Sequence, residues 1–210
     1  MRAPDDTEGG EDAVLIARLL AGDEQAFVEI VERLHGSLVR VARAFVGDRA
    51  VAEEVVQDTW AAVLEGLPRF EGRSSLKTWI FRILTNRART RGARESRSVP
   101  FSSFDSVDEH EPAVDPARFL PSGKWGAPPR AWNEDSPERL LARRETLAFL
   151  EQAIAELPRS QRAVLVLRDV EGVDADDACD ILQITENNQR VLLHRARSRL
   201  RAALEQHMAP

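Results

Sequence analysis

The chain has 210 residues, 29 Lys and Arg against 35 Asp and Glu, and a formal net charge of −6, a length that suits one or two domains. A hydrophobic share of 43% suffices for ordinary cores, and 30% charged residues with only 11 Gly and 11 Pro exclude collagen-like and low-complexity chains. The longest apolar runs, such as 163–167, fall far short of the roughly 20 residues that cross a bilayer. The N-terminus is acidic where a signal peptide is basic, so a cytoplasmic protein without membrane insertion is expected.

Residues 1–11 are expected to form an unstructured tail. Apolar residues then recur at helical spacing in three stretches: Ala13, Ile16, Ala17, Leu20; Phe27, Ile30, Val31, Leu34; and Leu38, Val41, Ala42, Phe45. These predict three amphipathic helices. Asp23 and Asp48 stand where they can cap backbone N–H groups, and Gly22, Gly36 and Gly47 mark stops or bends. A fourth helix is predicted over 51–64, broken by Gly66 and Pro68. A polar loop over 71–75 leads into a fifth helix over 76–91.

Between Ser98 and Ser136 the periodicity vanishes and proline clusters at 100, 112, 116, 121, 128 and 129. A structureless segment of about 40 residues inside one compact domain is improbable, so 98–135 reads as a linker between two domains. It is acidic, yet it carries Phe119, Leu120, Trp125 and Trp132, which are costly to leave in water. It either docks on something or serves as a solvated tether.

Ser136-Pro137-Glu138 opens the second block as an N-cap followed by proline at the first helical position. A helix to about Leu157 follows, Pro158 resets the chain, and the next helix turns Val164, Leu165 and Leu167 inward before Gly172 stops it. Helices over 175–182 and 186–204 are separated by Gln183-Ile184-Thr185, with Thr185 as N-cap. Two helices joined by about three residues, the second basic, form a helix-turn-helix pattern. No period-two pattern appears, so the chain reads as all-α, two small helical domains joined by a long irregular linker.

The single cysteine, Cys179, excludes an internal disulfide, and four histidines at 35, 110, 194 and 207 assemble no zinc-ligand spacing. Cys179 is either a core residue or a redox-sensitive thiol. No Gly-rich phosphate loop, Gly-x-Ser-x-Gly elbow or His-Glu-x-x-His pair occurs, and no catalytic residue, metal ligand or cofactor is expected. Charge is more informative. Arg73, Lys77, Arg82, Arg87, Arg89, Arg91, Arg94 and Arg97 face only Glu71 and Glu95 between 71 and 97, and five arginines between 187 and 201 face no acid. Two basic helical stretches suit a long polyanion, against the alternative of two solvated basic faces. In the fourth helix Glu54, Gln57, Asp58 and Ala61 form an acidic and polar stripe beside Trp60, which looks exposed, while Val55, Val56, Thr59 and Val63 can face a core. That stripe is either a protein-docking patch or an ordinary solvated face.

Together these motifs resemble the extracytoplasmic-function sigma factors, small two-domain members of the sigma-70 family of bacterial transcription initiation factors. Ala52-Glu53-Glu54-Val55-Val56-Gln57-Asp58-Thr59-Trp60 resembles region 2.2. The run from Phe70-Glu71-Gly72-Arg73-Ser74-Ser75-Leu76-Lys77-Thr78-Trp79 through Asn86-Arg87 resembles regions 2.3 and 2.4. Leu157-Pro158-Arg159-Ser160-Gln161-Arg162, Leu167-Arg168-Asp169-Val170-Glu171-Gly172 and Leu193-His194-Arg195-Ala196-Arg197 resemble region 4.

The resemblance implies a region 2 domain over 12–97 and a region 4 domain over 136–206. It implies that Glu54, Gln57, Asp58 and Trp60 hold the β′ clamp helices of core RNA polymerase, with the β flap as a second contact, and that promoter DNA is the other partner. Phe70, Arg73, Ser75, Lys77, Trp79, Asn86, Arg87 and Arg91 would engage the −10 element as it melts. Unstacked bases need a pocket or platform and phosphates need cations, which these residues supply. Trp79, at helical spacing with Ile83, reads either as a core residue or as part of strand separation.

At the −35 element Arg190, Val191, His194 and Arg195 would face bases, with Asn187, Asn188 and Arg197 nearer phosphates. The chain departs from the family pattern here. Asn187-Asn188-Gln189-Arg190-Val191-Leu192 stands where Gly-Thr-Val-Lys-Ser-Arg is common, Gln183 replaces a frequent turn glycine, and the preceding helix carries Asp174, Asp176, Asp177 and Asp180. An anti-sigma protein wedged between the domains is a further implied partner. Two rival readings stay open: an autonomous helix-turn-helix regulator that binds DNA without polymerase, and a helical enzyme acting on nucleic acid.

Overall fold

Helices account for almost all of the described residues, 6–95 and 137–207, in the computed structural model. The first block holds α1 (Asp6–Leu20), α2 (Glu24–Val46), α3 (Arg49–Gly66), a 3₁₀ turn (Leu67–Arg69) and α4 (Leu76–Glu95). The second holds α5 (Pro137–Glu156), α6 (Arg159–Leu165), a π-helical turn (Val166–Val170), α7 (Ala175–Leu182) and α8 (Glu186–His207). Among the described residues no strand occurs, and no helix is long and apolar enough to cross a membrane.

The predicted caps are in place. The Asp23 carboxylate accepts the amides of Gln25 and Ala26 at 2.9 and 3.2 Å, Asp48 accepts that of Val51 at 3.1 Å, and Gly22 and Gly47 adopt the positive φ that ends a helix without a Cβ penalty. Two expectations fail. Gly36 breaks nothing, because α2 runs unbroken from Glu24 to Val46: one continuous apolar face from Ile30 to Phe45 is worth more than the roughly 1 kcal/mol that an interior glycine costs. The helix α1 also begins at Asp6, inside the stretch expected to be a tail. The linker readings at 98–135, including Phe119, Leu120, Trp125 and Trp132, lie outside the described residues.

In the first block α2, α3 and α4 pack on one another around Phe45, Val56, Leu38, Ile80, Phe81 and Leu84, all essentially inaccessible to water. Approach at the far end of α4 depends on Gly92, where a Cβ would come within 3.0 Å of the Phe45 carbonyl oxygen. In the second block α6, α7 and α8 enclose Val164, Leu167, Ile181, Leu182, Leu193 and Ala196. These two cores are not separate. A single apolar cluster runs through both, because α7 lies on α4 and α6 with its π turn lies on the end of α2.

Candidate nucleic-acid interface

The α3 stripe survives folding in part. Glu54, Gln57, Asp58 and Ala61 are all exposed, while Val55, Val56, Thr59 and Val63 are buried behind them. Trp60 is a correction: it is only 7% exposed and meets the Phe27 ring edge-to-face at 5.8 Å. Its indole N–H finds no acceptor among the described residues. Burial of this aromatic between α2 and α3 outweighs that vacancy, so Trp60 shapes the stripe from beneath and presents no surface to a partner.

The loop before α4 is organised by its own caps. Ser75 Oγ accepts the Thr78 amide at 3.1 Å and lies 2.8 Å from the Thr78 hydroxyl, and Asp12 of α1 accepts the Leu76 amide at 2.8 Å. Ser75 is therefore an N-cap whose hydroxyl is already engaged. Phe70 and Trp79 are half-buried partners with ring centroids 5.0 Å apart, and Trp79 also abuts Gly66, where a Cβ would lie 3.2 Å from the indole. Together they make an apolar shelf at the edge of the core rather than two free platforms.

Cations follow in the loop before α4 and along α4 itself. Arg73 is exposed and paired with Glu71 at 2.5 Å, and Arg82, Asn86 and Arg87 are exposed along α4. Arg91 reaches back to Glu54 at 2.9 Å, tying the α3 acidic stripe to the α4 basic row. Lys77 is exposed, with its ammonium 3.4 Å from the Glu171 carbonyl oxygen and 5.9 Å from the centre of the Phe81 ring. Arg82 belonged to the basic stretch but was absent from the residues singled out; its exposure between Trp79 and Asn86 is what marks it.

In the second block Asp174 caps α7 by accepting the Asp177 amide at 2.9 Å. The helix closes on Gln183 at φ 53°, ψ 47°, a left-handed conformation that a non-glycine residue adopts at some cost. Thr185 Oγ1 accepts the Asn188 amide at 3.3 Å and starts α8. Burial of Leu192, Leu193 and Ala196 turns the opposite side of α8 outward. Asn187 and Arg190 are exposed; Asn188, Val191, His194 and Arg195 are half-buried.

Most arginines of α8 have carboxylate partners. Arg190 pairs with Glu186 at 2.6 Å, Arg201 with Glu205 at 2.6 Å, and Arg197 makes a two-pronged contact with Asp169 at 2.8 and 2.6 Å. Arg197, expected near phosphates, is thus committed to the π turn of its own domain. Burial, then the charges of Arg197 and Arg195, hold the His194 imidazole below its usual pKa, so it is biased toward the neutral form. Burial also raises the Cys179 thiol, with Asp176 next, which disfavours the reactive thiolate.

Against known proteins, residues 30–98 match the family model for sigma-70 region 2 and residues 150–200 that for sigma-70 region 4, together more than half of the chain. The RNA polymerase sigma-H factor of Pseudomonas aeruginosa is 28% identical over 195 residues, covering 93% of this chain and 94% of that protein. The ECF RNA polymerase sigma-E factor of Escherichia coli K12 is 27% identical over 186 residues, covering 89% and 90%. Two solved structures share the fold. CnrH in complex with the cytosolic domain of CnrY aligns at TM-score 0.59 and 23% identity, covering 93% of this chain and 97% of CnrH. The sigma factor RpoE from Bartonella quintana, solved with the anti-sigma factor NepR, aligns at TM-score 0.57 and 23% identity, covering 85% and 96%.

Proposed function

The chain belongs to the sigma-70 family, in its extracytoplasmic-function class, and on that premise we propose how its two helical domains divide the work of an RNA polymerase sigma factor. The factor directs core polymerase to promoters and starts transcription there. Residues 12–97, extended by the start of α1, act as region 2, 136–206 as region 4, and 98–135 as the linker. The observation that carries this division is the charge placement: an exposed basic row on α4, beside an apolar shelf, and an exposed polar start to α8 behind a helix-turn-helix turn.

Glu54, Gln57 and Asp58 meet the polymerase β′ clamp, with Trp60 holding their helix in place. Arg73, Lys77, Arg82, Asn86, Arg87 and Arg91 take the phosphates of the −10 strand, and the Phe70–Trp79 shelf receives an unstacked base. Ser75 acts through its cap rather than by touching DNA. Asn187 and Arg190 lead −35 recognition, Val191, His194 and Arg195 line the groove, and Asn188 and Arg197 approach phosphates, Arg197 only after exchanging Asp169 for a phosphate oxygen. No chemical step belongs to the chain itself. A regulator of the anti-sigma type, such as the NepR bound to the RpoE neighbour, is a further partner.

The test is reconstitution. Mixed with bacterial core polymerase, the full chain is expected to support promoter-dependent transcription, and the double variant Glu54→Lys, Asp58→Lys to abolish it through lost core binding. Tight, specific DNA binding by the chain alone, with no effect of core polymerase, would establish the autonomous regulator instead.

A further inference from the structure

We propose that Asp12, on α1, is a positioning residue for −10 recognition: its carboxylate pins the loop over 70–75, and through that loop it sets the shelf that receives the unstacked base. The inference rests on the sigma-factor reading and adds to it a residue that acts through others. The loop has little of its own to hold its course. Between the 3₁₀ turn and α4, residues 70–75 form neither helix nor strand, and Glu71, Gly72 and Arg73 are exposed. Gly72 sits at φ 67°, a left-handed conformation that favours glycine. The first anchor is local, since the Phe70 amide donates to the Leu67 carbonyl at 3.0 Å. The last one is not.

A helix leaves its first amides without partners of its own, and side chains or water must take them. At the start of α4 two residues share that task. Ser75 Oγ accepts the Thr78 amide at 3.1 Å, as an ordinary N-cap does, whereas the Leu76 amide goes to Asp12, 64 positions earlier, at 2.8 Å. That amide belongs to the peptide group joining Ser75 to Leu76, so Asp12 holds the end of the loop itself. A carboxylate acceptor makes the bond charge-assisted, and the partial positive charge of a helix start favours it further. The same helix reaches the other end of the loop. It packs against the 3₁₀ turn, and Leu15, on the same face as Asp12, is buried in the apolar cluster that also holds Leu67 and Leu76. Thus α1 brackets the loop, touching the turn before it and capping the helix after it.

The two rings of the shelf stand on either side of the joint that Asp12 fastens. Phe70 opens the loop and Trp79 belongs to the first turns of α4, with 5.0 Å between their centres. Contact between packed faces is sensitive to such spacing, because a gap of about 0.5–1 Å already forfeits a quarter to a half of the dispersion energy. Without Asp12 the Leu76 amide turns to water, while the Ser75 cap and the buried Leu76, Ile80, Phe81 and Leu84 keep α4 in place. What is lost is the fixed course of the loop, and with it the fit of a base on the shelf.

The test uses the full chain bound to core polymerase and a fork-junction promoter DNA with a single-stranded −10 element, each of whose bases is replaced in turn by an abasic site. Asp12→Ala is expected to weaken binding of the intact fork about tenfold and to leave the affinity for core polymerase unchanged. At one position the abasic site should cost the wild type about as much and cost Asp12→Ala almost nothing, because both changes remove the same contact. Asp12→Asn, which keeps an acceptor oxygen, should restore most of the binding. Asp12→Ser, polar but too short to reach, repeats the measurement if the alanine variant folds poorly. Unchanged fork binding, abasic penalties that add in full at every position, or equal losses of fork and core affinity overturn the assignment. A wild-type holoenzyme that binds no fork refutes the sigma-factor reading and the assignment with it, whereas failure of the variants alone refutes only the assignment.

Discussion

Region 2 and region 4 both present arginines to the outside, but they hold them differently. On α4, Arg82 and Arg87 have no ion-pair partner among the described residues, whereas on α8 Arg190, Arg197 and Arg201 each sit on a carboxylate. A cation without a partner can take a phosphate at the cost of its hydration alone. One that is already paired must first give up its carboxylate, so its net gain from DNA is smaller and depends on the geometry of the replacement. Arg73 and Arg91 of region 2 are paired too, with Glu71 and Glu54, so the contrast lies between Arg82 and Arg87 of α4 and the three paired arginines of α8.

One apolar cluster stands behind both surfaces, and the largest expected effect tests it. Phe81→Ala removes a fully buried ring of α4 and should destabilise the chain by about 3–5 kcal/mol, read as a shift in urea midpoint. Because one apolar cluster joins both blocks, the transition should lose its single step, with region 4 melting apart from region 2. Persistence of a single cooperative transition in this variant would show that the rest of the cluster couples the two blocks without Phe81.

Next in size is the contrast between the arginines. Arg190→Ala should cost about 1–3 kcal/mol at the preferred −35 sequence and little at altered ones. Arg87→Ala should weaken holoenzyme binding on all promoters alike and reduce the salt dependence by about one counterion. Titrations of promoter binding at several salt concentrations distinguish the two, and equal sequence-independent losses would erase the distinction drawn between these arginines.

Smaller still is Gln183→Gly. Glycine relieves the left-handed strain at φ 53° and should stabilise region 4 by about 0.5–1 kcal/mol, seen as a higher melting temperature. The least effect concerns His194, whose folded pKa lies below the ordinary 6.5 because of burial and the neighbouring Arg197 and Arg195. The unfolded chain then binds that proton more readily than the folded domain. Stability from this group is complete above about pH 6.5, is lost as pH falls toward the folded value, and levels off below it. A His194→Gln variant should flatten the dependence of the melting temperature between neutral and mildly acidic pH.

Local chemistry made much of this molecule readable in advance. Helical periodicity, the caps at Asp23, Asp48 and Thr185 and the turn at Gln183 depend on neighbours within a few positions, so the all-α class and the helix-turn-helix followed from the chain alone. So did the acidic stripe and the basic row, because spacing of three and four sets which side chains share a helix face. What required the folded molecule was every choice made by a distant partner. Trp60 is buried by Phe27 of another helix, Ser75 shares the capping of α4 with Asp12, and Arg197 is taken by Asp169. The seam between α4 and α7 joins residues nearly 100 positions apart. Exposure and pairing are settled by whichever surfaces meet in three dimensions, and residue order alone carries little record of those meetings.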